Sequence, residues 1–274
     1  MRFTKMNGAG NDFIILDTIR QKIPPEQLPR MAKVLCDRRR SIGADGLMAV
    51  APSEKADCRM LFFNSDGSMG EMCGNGARCI CRFACENGYA GQTQTIETTA
   101  GIVTGVRISK REYRIRLNTP STVRLDEKLT VDGKICSVSY VELGDPGIPH
   151  AIVELPGWSG MSKEDLQRLG KAIRSYADFP KGTNVTFAEL IGENRVNAVT
   201  FERGVEAFTL ACGTGAGSTA AILTVRGLVT GKNVKIKMPG GELIIDLDRD
   251  GQTARNIFLT GPAVPVCTGE IRDE

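Results

Sequence analysis

The chain carries an internal echo that limits how it can fold. Residues 62–77 read FFNSDGSMGEMCGNGA, and residues 200–216 read TFERGVEAFTLACGTGA. Each stretch has an aromatic strand end, a glycine-containing turn and then Cys-Gly-x-Gly-Ala opening a helix, with Cys73 and Cys212 139 residues apart. A fainter pair, GAGNDF at 8–13 and GTNVTF at 182–187, precedes them in the same order. A repeat of about half the chain predicts two related domains facing one another across a cleft. The boundary is expected at the Asn118-Thr119-Pro120-Ser121 turn chemistry. That gives one domain of residues 1–118 joined by 263–274, with Cys73, and a second of residues 119–262, with Cys212.

Local patterning agrees with a length of 274 residues, which exceeds the usual single domain. Short β-branched or apolar runs punctuated by Gly, Asn, Asp and Pro predict strands at 13–16, 47–50, 59–63, 93–98, 102–108 and 113–117. The second half repeats the texture at 138–141, 151–154, 195–201, 234–238, 242–247 and 256–261. Helices are predicted over 26–37, 74–87, 163–176 and 213–226, with Gly88 and Gly227 placed as C-terminal caps. The last helix, GTGAGSTAAILTVR, has no charge before Arg226. Such a helix is expected to be covered on all sides, as by a sheet wrapped around it.

Composition excludes several classes of function. With 41% apolar and 24% charged residues, the chain is of ordinary globular type, and no apolar run approaches the roughly 20 residues that span a bilayer. MRFTKMNGAGNDFIILD does not read as a secretory leader, so a soluble cytoplasmic protein is expected. A net charge of +3 is small, and Arg38 to Arg40 read as a solvated face; neither nucleic acid nor membrane is expected as a partner. Nine cysteines without a leader predict reduced thiols rather than a disulfide framework. One histidine and no C-x-x-C leave no usual zinc spacing, so no metal is expected.

That leaves thiol chemistry. Glycines at a helix start let the backbone approach a ligand, and the first unpaired N–H groups with the helix dipole favour a carboxylate. The same donors are expected to favour the thiolate of a cysteine placed there. Cys73 and Cys212 are therefore the two candidate reactive thiols. Cys36, Cys58, Cys79, Cys81, Cys85, Cys136 and Cys267 lack the glycine context and are expected to be small buried hydrophobes. One thiol on each face of a carbon beside a bound carboxylate would remove the α-proton on one side and deliver one on the other, inverting configuration. A cysteine hydrolase pairing one thiol with His150 leaves the second CGxG unexplained, a dithiol redox enzyme lacks its C-x-x-C, and a binding module needs no thiols.

MNGAGNDF, GADGL at 43–47, NSDGS, MCGNGARC, GTNV, FERG, ACGTGAG and GPA at 261–263 together resemble the diaminopimelate epimerase family, in that family's order. The resemblance implies an α/β (α+β) fold of two similar domains, each a curved mixed or antiparallel sheet around a central helix, in a cytoplasmic homodimer. It implies an isomerase acting without pyridoxal phosphate, metal or nicotinamide, which converts LL- to meso-diaminopimelate for lysine and peptidoglycan precursors. By motif, Cys73 and Cys212 would be the two bases, with His150 and Glu202 assisting proton transfer and positioning the amino group. The N–H groups of Gly74, Asn75, Gly213 and Thr214 would hold the reacting carboxylate. Asn11, Asn64, Asn184 and Arg203 would hold the far amino-acid centre. One departure stands out: Gly147-Ile148-Pro149-His150 occurs where the family often has Gly-Asn-Pro-His. Ile148 donates no hydrogen bond, so either a bidentate Arg203 compensates or the distal pocket suits another side chain, such as that of histidine. Phe208, where acidic residues are common in the family, points the same way.

Overall fold

The computed structural model describes every residue except Glu71, Asp273 and Glu274; the expectation for 263–274 lies outside the described residues at its last two positions. The chain divides into two compact units, Met1–Arg116 with Thr260–Glu274, and Leu117–Leu259.

In the first unit a mixed sheet runs, in spatial order, Val264–Glu270, Arg2–Gly8, Asn11–Asp17, Gly46–Ala51, Cys58–Asn64, Thr93–Thr98, Gly101–Arg107 and Glu112–Arg116. Seven of these strands, all but Val264–Glu270, pack on one helix, Gly74–Glu86. A sheet touching a single helix along so many strands must curl around it. Gly46–Ala51 is buried at all six positions because its other face meets an outer helix, Leu28–Leu35, through a core that includes Leu28, Ala32, Leu47, Ala49 and Leu61. Coverage on both faces is why such a strand reads as a continuous apolar run rather than an alternation.

The second unit repeats the plan. Pro120–Val131, Lys134–Leu143, Ile148–Glu154, Asn184–Gly192, Arg195–Glu202, Val234–Met238 and Gly241–Asp250 pair in that order. Helix Gly213–Val225 lies against five of them, while Lys163–Arg174 packs on the outer side through Leu166 and Ile173 against Phe187 and Phe201. Both units run strand, outer helix, parallel strand, antiparallel strand, cysteine, inner helix, parallel strand. Their registers correspond: Ile14 pairs with Leu47 and Leu47 with Phe63, as Ala151 pairs with Val185 and Val185 with Phe201.

The two inner helices share their limits as well. Each has 13 residues and a cysteine in extended conformation as its N-cap. Each ends at a glycine of positive φ, Gly88 at 77° and Gly227 at 73°, a conformation that costs other residues energy. Behind these glycines Tyr89 donates its N–H to Ala84 O at 2.9 Å and Leu228 to Leu223 O at 2.9 Å, the six-to-one bond of a Schellman cap. In the uncharged helix every residue but Thr214 is buried, as expected. Gly74–Glu86 is buried from Gly74 to Ala84 although it carries Arg78 and Arg82.

Several elements differ from the sequence expectation. Pro120 and Ser121 open a twelve-residue strand rather than a turn. Its outward positions are polar, and a bulge between Arg124 and Glu127 with Asp126 at positive φ breaks the alternation. The helix expected at 26–37 is shorter, Leu28–Leu35, preceded by one 3₁₀ turn at Pro25–Gln27. Cys36, Cys58, Cys79 and Cys81 are buried as expected and Cys85 and Cys136 half-buried, but Cys267 is exposed on the Val264–Glu270 strand. Among the described residues, no helix is long and apolar enough to cross a membrane.

Candidate active site

In the first unit the Cys73 end of the inner helix meets the turn after Arg2–Gly8. Gly8 makes the approach possible: a Cβ there would stand 2.8 Å from Asn75 O and 3.2 Å from Asn75 Cβ. Cys73 Sγ lies 3.5 Å from Asn11 Oδ1, which also accepts from Asn75 Nδ2 at 3.4 Å. Asn11 in turn donates from Nδ2 to Asp45 Oδ2 at 2.6 Å. Asn11, Cys73, Gly74 and Asn75 thus come together, with Asn75 buried and Cys73 half-buried. Asn64 ends its strand exposed and donates from Nδ2 to Ser68 Oγ at 3.0 Å, bracing its own turn. Asp45, from the GADGL segment, holds the Asn11 amide; sequence reasoning gave it no role, although an acid beside a glycine turn was a usable signal.

In the second unit Cys212 is 7% exposed. Its sulfur accepts from the Gly215 N–H at 3.3 Å and lies 3.5 Å from Thr214 Oγ1. The expectation that the helix start would favour the thiolate is corrected here. Burial, and after it the Glu202 carboxylate, push the Cys212 thiol well above its ordinary value, outweighing the Thr214 and Gly215 donors. Desolvation of a fully enclosed anion exceeds what two weak hydrogen bonds to sulfur return. Glu202 is held by Thr209, whose hydroxyl donates to Oε1 at 2.6 Å. Thr209 is a second residue that the motifs did not single out.

His150 is fully buried, and neither ring nitrogen has a hydrogen-bond partner among the described residues. Burial first and then the Arg203 charge push its pKa down to about 3. His150 pairs in register with Asn184, whose Nδ2 donates to Pro149 O at 3.1 Å and whose Oδ1 accepts from the Arg203 N–H at 2.9 Å. Asn184 therefore ties the His150 strand to the Arg203 turn. The Arg203 side chain is exposed and donates to Lys181 O at 2.9 Å. Phe208, read from sequence as a mark of a retuned pocket, instead anchors this turn in the core, edge-on to Phe201 at 5.6 Å between ring centroids.

The duplicated register sharpens the comparison of halves. One position from the matched pairs stand Phe13, Gly46 and Asn64 in the first unit, and His150, Asn184 and Glu202 in the second. The scaffold is shared, but these positions carry no acid or imidazole in the first unit, whereas in the second they carry His150 and Glu202, and the Glu202 carboxylate acts on Cys212.

The His150 environment has a measurable consequence. Its folded pKa lies below the unfolded value of 6.5, so proton uptake by this ring takes nothing from stability above that pH. Between there and about 3 the unfolded chain takes up a proton that the folded chain refuses, and stability is lost as pH falls. His150→Phe, which copies the Phe13 position, is expected to flatten the fall in melting temperature from about pH 7 to about pH 4. Identical slopes in both proteins would contradict this.

A family model described as Diaminopimelate epimerase matches residues 3–122 and 144–266. Similar proteins bearing that name include one from Methanothrix thermoacetophila, 36% identical over 282 residues and covering 100% of this chain and 97% of its own. Another, from Aquifex aeolicus, is 36% identical over 285 residues, covering 100% and 99%; one from Archaeoglobus fulgidus is 37% identical over 280 residues, covering 98% and 96%. Among solved structures, a probable proline racemase from Agrobacterium radiobacter K84 shares the fold with a TM-score of 0.74 at 18% identity, covering 100% of this chain and 93% of that one. A PhzF-family phenazine biosynthesis protein from Bacillus anthracis does so with a TM-score of 0.73 at 17% identity, covering 100% and 99%.

Proposed function

The chain belongs to the diaminopimelate epimerase family, and from that premise we propose that it interconverts LL- and meso-diaminopimelate by two-base exchange at one α-carbon, with Cys73 and Cys212 as the pair. The observation that carries the reading is the duplicated half-site: each unit buries one inner helix and caps its N-terminus with a cysteine followed by glycine.

The chemistry follows from the groups present. The substrate carboxylate accepts hydrogen bonds from the N–H groups of Gly74, Asn75, Gly213 and Thr214, which also stabilise the enolate-like charge that forms when the α-proton leaves. Cys212, held as a thiol by burial and by Glu202, is the proton donor at rest. Cys73 as thiolate takes the α-proton, and the Cys212 S–H proton arrives on the opposite face. The step leaves Cys73 as thiol and Cys212 as thiolate, ready for the reverse reaction. His150, neutral and with both nitrogens unpartnered among the described residues, and the Glu202 carboxylate receive the α-ammonium group. The exposed Arg203 guanidinium takes the distal carboxylate, Asn184 sets the Arg203 backbone, and Asn11 and Asn64 complete that end. The geometry of Phe208 removes one reason to seek another substrate; Ile148 is the other. The reaction needs no cofactor in this account, and the enzyme acts as a homodimer, as in the family.

The protein alone, incubated in D2O with LL-diaminopimelate, histidine, lysine and glutamate in turn, is expected to exchange the α-proton of diaminopimelate. Exchange with histidine in its place would overturn the substrate while keeping the thiol pair. No exchange with any of them would overturn the reading.

A further inference from the structure

Arg78 is fully buried, one turn into the helix that Cys73 begins. Its three bonds all go to neutral oxygens: Nη2 to Asn75 Oδ1 at 2.8 Å, Nη1 to Gly74 O at 3.4 Å and Nε to Pro262 O at 3.3 Å. Among the described residues no carboxylate reaches it. The other buried arginine of this helix is different: Arg82 meets Glu86 Oε1 at 2.8 Å and Ala263 O at 2.7 Å. Enclosing a cation without a counter-charge is costly, and burial does depress the Arg78 pKa, yet a guanidinium does not deprotonate in proteins. A fold that retains such a group beside a reactive thiol has a use for its charge.

We infer that Arg78 is a positioning residue for the proposed two-thiol reaction: its guanidinium orients Asn75 and supplies the buried positive charge that favours the Cys73 thiolate. Two effects need weighing. Arg78 accepts no proton but fixes Asn75 Oδ1, so that Asn75 Nδ2 faces Asn11 and Asn11 Oδ1 faces Cys73 Sγ. That last contact suits the thiol, but S–H is a weak donor, so the bond does little to hold the proton on sulfur. The charge acts on every sulfur within reach, and Cys73, Cys79 and Cys81 are all within electrostatic reach of Arg78. Burial keeps Cys79 a thiol, pushed up to about 12, and raises Cys81 further; half-buried Cys73 is the one able to respond. On the opposite side, Asp45 is the charge behind Asn11, and it is itself bonded by Arg38, which also pairs with Asp12 beside Lys5. That acid is therefore compensated, and among the described residues Arg78 is not.

The inference rests on the proposed reaction for its purpose, but its test does not require turnover. Carboxymethylation of Cys73 is followed by peptide mass mapping against pH in the full-length protein, with the exposed Cys267 as reference in the same samples. In the unaltered protein Cys73 is expected to react with a midpoint below that of Cys267. Arg78→Gln, which keeps amide donors but no charge, is expected to raise the Cys73 midpoint by about one unit, about tenfold slower modification below it. Arg78→Lys restores the midpoint, and Arg82→Gln leaves it in place. An unchanged midpoint in folded Arg78→Gln, an equal rise in Arg82→Gln, or a Cys73 midpoint at or above that of Cys267 in the unaltered protein would overturn the inference. The last comparison holds even if the Gln variant does not fold. Loss of epimerisation with these midpoints as expected would count against the proposed reaction alone.

Discussion

Cys73→Ala and Cys212→Ala are each expected to lower kcat for LL-diaminopimelate epimerisation by about 10³-fold or more, because each removes one member of an acid–base pair worth 10²–10⁴-fold. The loss should not add in the double variant, since either thiol alone cannot complete inversion. Melting temperatures should stay near that of the unaltered protein. Cys212 is the more enclosed of the two, and deleting its sulfur removes few contacts relative to those of the buried helix it begins. A variant of either type with full activity contradicts the pairing.

The second large effect is expected at a residue that touches no reacting atom. Gly8→Ala places a methyl group 2.8 Å from Asn75 O and 3.2 Å from Asn75 Cβ. The obstacle is largely backbone at the helix start, so the Cys73 end of the helix must move rather than a flexible side-chain tip. Displacement of the N–H groups that receive the carboxylate by about 1 Å costs about 10²-fold in kcat/KM. The measurement is steady-state kinetics on a variant shown to be folded by circular dichroism. Kinetics indistinguishable from the unaltered protein would mean that the turn, not the helix, gives way.

Much of this was legible in the sequence for a definite reason. A repeated Cys-Gly-x-Gly at a helix start, with glycines at both C-terminal caps, is local chemistry that survives in one dimension, and it placed Cys73, Cys212 and both inner helices. The strands missed are Arg2–Gly8, Pro120–Val131, Asn184–Gly192, the two-residue Ala207–Phe208 and Val264–Glu270, and their burial ranges from five consecutive buried residues at the start of Asn184–Gly192 to none in Val264–Glu270. Their pairing partners, not their composition, make them strands. Site chemistry was less visible. Asn184 could be marked as an amide near the site, but that both its ends brace backbone depends on Pro149 and Arg203, 35 and 19 residues away. The protonation of Cys212 depends on complete enclosure and on Glu202, neither written in CGTG. Arg78 looks like an ordinary helix residue until the sheet closes around it. Even so, the register match of Phe13 with His150 and Asn64 with Glu202 explains why the first half of the repeat looks so different chemically from the second.

The central claim is that two thiols serve one carbon from opposite faces. A single turnover of LL-diaminopimelate in D2O, quenched before the reverse reaction, tests it most directly. The account predicts solvent deuterium at the inverted α-carbon of the product and protium in the unreacted substrate, because the Cys212 thiol delivers an exchanged hydron while Cys73 retains the one it removed. Equal deuterium in both pools, or product that keeps its original proton, would indicate one base acting on both faces and contradict the account.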